Sequence, residues 1–338
     1  MTSQDRRSRV VVISLGGTIA STPSDSAAGV VPQLTAQDLI AAVPQLHDVA
    51  DIEAISFRQL PSGDLTLDDL VDLALLIEGL GAQDVDGVVI TQGTDTIEET
   101  SFALDVLLDV DFPVVVTGAM RNPSLASADG PGNVLSAVKV AASHATRGLG
   151  CLVVMNDEVH AARFVRKTHS SNLATFRSPS CGPLGWVAEE RVRIASRPAP
   201  IAHIAAHTVT QIAPVALQTC AIGDDGRTLS CLASLGYVGA VVEAFGAGHV
   251  PSDMVDTLEA LAQTMPVVLC SRTGAGEVLQ HTYGFRGSES DVLSRGVVSG
   301  GALDGPKARV ALALSISGSK QGAIAMEVFA RLRDSLSV

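Results

Sequence analysis

Two glycine-bounded loops each offer a threonine hydroxyl where a strand is expected to end. Gly16-Gly17-Thr18 follows the apolar run Val10–Leu15, and Gln92-Gly93-Thr94-Asp95-Thr96 follows Gly87–Thr91. A threonine beside such a turn can act as an exposed nucleophile, with neighbouring backbone N–H groups holding the oxyanion that develops on a carbonyl. The same hydroxyl can equally finish a tight turn. Thr94 and Asp95 lead into the stretch Thr96–Leu108, and Asp95 with Glu98, or Thr96 with Glu99, fits a helix capping box. Capping and chemistry are compatible here, because the first turn of a helix presents donors to an anionic group, while Asp95 can take an ammonium. Lys167 is either a solvated surface lysine or a partly desolvated amine able to accept a proton from a threonine. Ser62, in Leu60-Pro61-Ser62-Gly63-Asp64, has the setting of a turn serine.

Bringing these residues together requires strands that end at a common edge. Strands are expected at Val10–Leu15, Gly87–Thr91, Val114–Thr117 and Leu152–Met155. Helices are expected at Thr35–Val43, Leu67–Gly79 (capped by Thr66), Thr96–Leu108 and Asn133–Ala145. The alternation predicts an α/β fold with a mainly parallel, doubly wound sheet and helices on both faces. Ligands of such sheets sit beyond the carboxyl ends of the strands, where the loops bearing Thr18, Thr94 and Gly118-Ala119-Met120-Arg121 emerge. The stretch Val192–Pro214 breaks the rhythm with Pro198, Pro200, Pro214 and scattered histidines, and reads as a linker. Beyond it, strands at Val215–Ile222, Gly239–Phe245 and Val267–Ser271, with helices at Asp253–Gln263, Pro306–Leu314 and Gly322–Leu332, make a smaller α/β region. The expected organisation is an N-terminal catalytic domain over 1–191, a linker over 192–214 and a C-terminal domain over 215–338.

Composition removes several function classes. With 338 residues, two domains are expected. Hydrophobic residues at 46% against 17% charged exclude a disordered chain, and aromatics at only 3% point to interiors filled by branched aliphatics. Acidic side chains outnumber basic ones 36 to 23, for a net charge of −13, which disfavours a nucleic-acid partner. The nearest basic cluster is Arg163, Arg166 and Lys167. The cysteines, Cys151, Cys181, Cys220, Cys231 and Cys270, are scattered and odd in number, and suggest neither a zinc site nor a disulfide framework. The first apolar run is too short for a secretion signal or a membrane span, so a cytoplasmic, membrane-free protein is expected. Gly246-Ala247-Gly248 and Gly274-Ala275-Gly276 are fragments of a dinucleotide fingerprint that neither completes.

The segments Ile13–Ala20 and Val89–Thr100 resemble the two signature motifs of bacterial-type L-asparaginases, of the asparaginase/glutaminase family. Similarity continues in order through Val116–Arg121, Met155-Asn156-Asp157, Lys167-Thr168, Phe176, Cys181–Gly185, Gly246–Gly248, Ser271-Arg272 and Lys307-Ala308-Arg309. The resemblance implies a homotetramer assembled as a dimer of dimers, with neither metal nor organic cofactor. It implies Thr18 as primary nucleophile, Thr94 as second catalytic threonine, and Asp95 and Lys167 as members of the second threonine's hydrogen-bonded set. Ser62 would hold the substrate α-carboxylate and Asp95 its α-ammonium, while backbone groups at Gly17, Thr94 and Ala119 orient the amide. Gly63 stands where many relatives have glutamine, and His249 where a neighbour-subunit asparagine is usual. Glu277 matches the acidic residue that the family sends across the interface.

One departure matters for mechanism. The family carries a tyrosine in the loop after the first motif, whereas Ser21–Gln33 has none, and the chain's tyrosines are Tyr237 and Tyr283. Lys167 acting through Thr94, or a water, would then activate Thr18; otherwise catalysis is altered. That loop, rich in Ser, Gly, Pro and Ala, reads as a lid. The resulting expectation is hydrolysis of L-asparagine, with L-glutamine as a further candidate substrate, to the acid and ammonia through an acyl-enzyme. A glutamyl-tRNA-directed enzyme subunit, a non-catalytic amino-acid sensor and a nucleotide-dependent oxidoreductase are the alternatives.

Overall fold

The computed structural model describes residues 6–17, 21–23, 30–32, 35–319 and 322–336. Two compact units emerge, Met1–Pro200 and Ile201–Val338.

The first unit opens with β1 (Arg9–Ser14), whose residues Val10 to Ile13 are all fully buried. A run of four consecutive buried apolar residues must be covered on both faces, which is the environment of a parallel sheet. Two short strands, β2 (Ser21–Pro23) and β3 (Val30–Pro32), pair antiparallel within the segment expected to form a lid. Helix α1 (Ala36–Ala41) starts at Thr35, which forms a capping box with Asp38, and α2 (Leu46–Val49) follows. Strand β4 (Asp51–Ser56) runs parallel to β1. Helix α3 (Leu67–Leu80) is capped by Thr66, as expected, and Asp69 completes a reciprocal box with it. Then come β5 (Gly87–Thr91), α4 (Ile97–Leu107), β6 (Val114–Thr117), α5 (Gly130–Ala141) and β7 (Cys151–Met155). The chain finishes this unit with β8 (Glu158–Ala161), the short hairpin β9 (Arg166–Lys167) and β10 (Phe176–Arg177), and the strands β11 (Gly185–Ala188) and β12 (Arg191–Ile194).

Among the described residues the main sheet has the order β12-β11-β8-β7-β6-β5-β1-β4. Strands β4, β1, β5, β6 and β7 are mutually parallel, and β8, β11 and β12 extend the sheet antiparallel. Leu39, Leu46 and Val138, from α1, α2 and α5, pack with Val10, Val89 and Leu152 in one core layer. Helix α4 packs on β6 and β7, with α3 beside it. The chain moves from β1 to β4 on one side and returns to β5 on the other, so the strand order reverses at β1/β5. Loops leaving two such strands diverge and open a crevice at their carboxyl ends.

Three expectations change. Strand β4 was not anticipated, because its Asp-Ile-Glu-Ala-Ile-Ser sequence at the sheet edge lacks the continuous apolar run of the central strands. Helix α5 begins at Gly130 instead of Asn133, since Pro131 is tolerated in a first turn, and it ends at Ala141. The expected linker over 192–214 starts inside β12, which pairs antiparallel with β11, so the division falls after Pro200.

In the second unit, β13 (Val215–Thr219), β14 (Gly239–Ala244), β15 (Val267–Ser271) and β16 (Val298–Ser299) form a parallel sheet in sequential order. Helices α6 (Val255–Ala262), α7 (Glu289–Ser294), α8 (Gly305–Ser317) and α9 (Gly322–Ser335) accompany it. Val242, Leu258, Leu269 and Val292 share its core. Asp304 caps α8 by accepting the Lys307 N–H, with Pro306 in the first turn.

Candidate active site

β1 and β5 lie in register, Ser14 beside Thr91, and the loops they release touch main chain to main chain. A Cβ on Gly17 would stand 1.9 Å from Gly93 N and 2.4 Å from Gly93 Cα, and Gly17 has φ +85°. Both the left-handed backbone and the close approach demand glycine there. Gly93 in turn faces Ser62, whose Oγ a Cβ on Gly93 would meet at 2.7 Å. The loops after β1, β4 and β5 therefore meet at the reversal point. Thr18 itself lies outside the described residues.

The loop after β6 closes the same edge. A Cβ on Gly118 would meet Gln92 O at 2.6 Å and Thr94 Cγ2 at 3.2 Å. The Asp129 carboxylate accepts the N–H groups of Met120 and Arg121, each at 2.9 Å, and Asn133 Nδ2 donates to Gly118 O at 3.0 Å. Ala119 is held buried in that clamp.

Lys167 reaches Thr94 from β9. Its Nζ donates to Thr94 Oγ1 at 2.8 Å and to Asp95 Oδ1 at 2.6 Å, and its backbone N–H donates to Glu98 Oε2 at 2.9 Å. The lysine side chain is 12% exposed and that of Asp95 81% exposed. The half-buried lysine head thus has its acidic partner on the open side, bordering a groove of about 360 Å³ lined by Asp95, Lys167, Thr168, His169 and Ser170. Such an arrangement can orient the Thr94 hydroxyl, exchange a proton with it and offer a carboxylate to a cationic group.

The capping expectation for α4 is corrected. Thr96, at the N-cap, makes no side-chain capping bond. Its Oγ1 instead donates to Ser62 O at 3.0 Å and accepts from Gln92 Nε2 at 3.2 Å, tying the loop of Thr94 to that of Ser62. Ser62 is buried and Gly63 is exposed with open space beside it. The supposed basic cluster dissolves as well: Arg163 is buried, 3.6 Å from Asp105, and Lys167 is turned inward.

Two residues named from the sequence lie in the second unit. Glu277 is exposed in the segment after β15. His249 lies 3.2 Å from Glu289 and packs edge-on against Tyr283. Burial pushes the Glu289 carboxyl up, but backbone N–H groups at Tyr283, Glu289 and Thr282, with His249, outweigh it and hold the group below its ordinary range. The two GxG fragments follow β14 and β15. Among the described residues, no group of three or more His, Cys, Asp or Glu could hold a metal ion.

The family model described as "Asparaginase, N-terminal" matches residues 9–200. The chain belongs to the asparaginase family. A second model of the family, "Glutaminase/Asparaginase C-terminal domain", matches residues 214–329. Similar proteins include an "L-asparaginase" of Bacillus licheniformis, 34% identical and covering 93% of this chain and 97% of its own. "L-asparaginase 2" of Escherichia coli is 34% identical over 95% of this chain and 92% of its own length. A crystal structure of a "Probable Cytoplasmic L-asparaginase" from Campylobacter jejuni superposes with a TM-score of 0.87 at 33% identity, covering 96% of this chain and all of that one.

Against this family background, sequence reasoning overlooked Glu98, Asp129 and Asn133 as supports of the site. Glu98 sits inside the second signature segment, and the four-residue spacing of Asp129 and Asn133 at the start of a helix was the available signal for the other two. The loop expected to hold a tyrosine has none, and both tyrosines lie in the second unit.

Proposed function

We propose that this protein hydrolyses L-asparagine to L-aspartate and ammonia by double displacement at a threonine. The observation that carries the reading is the half-buried Lys167 Nζ bound to both Thr94 Oγ1 and Asp95 Oδ1, beside the Gly17–Gly93 contact. Thr18, next in the chain to Gly17, is the primary nucleophile. Its oxygen bonds to the side-chain carbonyl carbon as its proton passes through the Thr94 hydroxyl to Lys167, which acts as the unprotonated amine, and N–H groups at Gly17, Thr94 and Ala119 receive the oxyanion. The C–N bond breaks, the nitrogen takes a proton and ammonia departs. Water then attacks the acyl ester, releasing aspartate and restoring the hydroxyl.

Ser62 binds the α-carboxylate, while Asp95, exposed beside Lys167, takes the α-ammonium. Glu277 acts from a neighbouring subunit of a homotetramer, and Gly63 leaves the pocket open beside Ser62. The lysine–threonine pair compensates for the missing loop tyrosine. No cofactor enters this scheme. L-Glutamine is a second candidate substrate, since a similar protein of Pseudomonas aeruginosa is a "Glutaminase-asparaginase". The free cysteines suit a reducing cytoplasm. Ammonia release from asparagine by purified protein tests the scheme. Thr18→Ala and Thr94→Ala are each expected to lose most activity, and a Thr94→Ala protein with full turnover would remove the second threonine from it.

A further inference from the structure

The lysine at the centre of the site stands on a very small support. Strands β9 and β10 share two residue pairs, Lys167 with Phe176 and Arg166 with Arg177. A two-stranded hairpin of that size does not hold its own shape in water, so Lys167 Nζ keeps its place only if the hairpin is fixed from outside. The first arm has its anchor, the Lys167 N–H on Glu98. The second arm runs through buried Phe176 to Ser178, whose Oγ lies 3.0 Å from His160 Nδ1.

His160 is fully buried on β8, inside the main sheet and opposite Val153 of β7. The mechanism proposed above makes no use of it. An imidazole taken wholly out of water costs stability unless its polar atoms are used. One is used on Ser178, and Nε2 lies 3.3 Å from Glu158 Oε2 without the alignment of a hydrogen bond. The charges facing the ring are Glu158, on its own strand, and Arg177, on the hairpin, which themselves pair at 3.4 Å. A buried polar side chain spent on one hydroxyl at the base of the hairpin is a structural fastening with a defined load.

We propose that His160 is a positioning residue for Lys167: through Ser178 it fastens the second arm of the β9–β10 hairpin to the sheet and so sets the distance between Lys167 Nζ and Thr94 Oγ1. Neither residue touches substrate. The inference rests on the reading of Lys167 as part of the reacting set, and Lys167→Met serves as its reference.

Ammonia release is measured for the wild type, His160→Leu, His160→Asn, Ser178→Ala, the His160→Leu/Ser178→Ala double variant and Lys167→Met. Displacing a proton-transfer group by a fraction of an ångström predicts a fall in kcat of about tenfold for His160→Leu and Ser178→Ala, with KM within about twofold. Because both remove one bond, the double variant should be no worse than either single. Asparagine places a polar atom where Nδ1 stands, so His160→Asn should recover most of the loss. Wild-type kcat in His160→Leu, losses that multiply in the double variant, or a rise in KM at constant kcat would each overturn the assignment. Should His160→Leu fail to fold, Ser178→Ala, a deletion of one hydroxyl, carries the test alone. A fully active Lys167→Met protein would instead refute the reading of the site; an inactive one beside an undisturbed Ser178→Ala would refute only the role of His160.

Discussion

Replacing Gly17 by alanine asks whether the loops after β1 and β5 form one reacting centre. The added methyl carbon would stand 1.9 Å from Gly93 N, whereas ordinary contact begins near 3.4 Å, so the two main chains must part by about 1.5 Å. No rotamer relieves the collision, because both partners are backbone. The φ of +85° adds about 1–2 kcal/mol for any residue with a Cβ. A misplacement of about 1 Å between reacting groups costs about 100-fold in rate, so kcat for ammonia release should fall by at least about that factor. Gly148 supplies the comparison, since it has φ +70° with nothing within 4 Å of an added Cβ. Gly148→Ala should lose about 1 kcal/mol of stability and keep its kcat. Urea unfolding midpoints and saturating-asparagine kinetics on both variants separate collision from backbone strain. A Gly17→Ala protein with kcat within threefold of wild type would show that the contact between these loops does not govern turnover.

Further outcomes follow from other parts of the molecule. Lys167→Met keeps the bulk of the side chain but removes the bonds to Thr94 and Asp95; kcat should drop about 10²–10⁴-fold with an unchanged circular dichroism spectrum. Burial, followed by the Arg177 charge, lowers the His160 pKa from 6.5 to about 4. The folded protein then binds fewer protons than the unfolded chain between those values. His160 contributes its full stability above about pH 6.5 and loses about 3 kcal/mol as the pH falls through 6.5 towards 4. Urea midpoints should decline less steeply over that interval in His160→Leu than in wild type, and equal slopes would contradict the assignment. Cys151, Cys220 and Cys270 are buried, and burial first of all raises their thiols, that of Cys220 to about 12. A thiol reagent should therefore label only the exposed Cys181 and Cys231 in the native protein; rapid reaction of all five would refute that burial.

What the sequence made legible was whatever depends on neighbours along the chain. The apolar runs of β1, β5 and β6 announced buried parallel strands, and Thr66 announced the start of α3. Gly17 and Gly93 flagged turns, although nothing local said that the two would touch. The failures share one cause, which is competition from distant partners. Thr96 had the right spacing to cap α4, but Ser62, 34 residues away, claims its hydroxyl. Val192–Ile194 looked like a linker because an edge strand needs little apolar character once β11 supplies its hydrogen bonds. Ser178, Asn133 and His160 gain meaning only from contacts made across the sheet, which no periodicity encodes.

The margins of the larger sheet bear on how this aliphatic-rich chain resists edge-to-edge pairing. At one end β4 turns Asp51 and Glu53 outward, and at the other β12 turns out Arg191 and Arg193. An incoming extended peptide could pair with either rim only by stripping water from ionised side chains, which opposes fibril-like growth there. Because both guards are ionic, added salt screens them and should promote self-association of misfolded chains through this sheet, as light scattering during refolding would show.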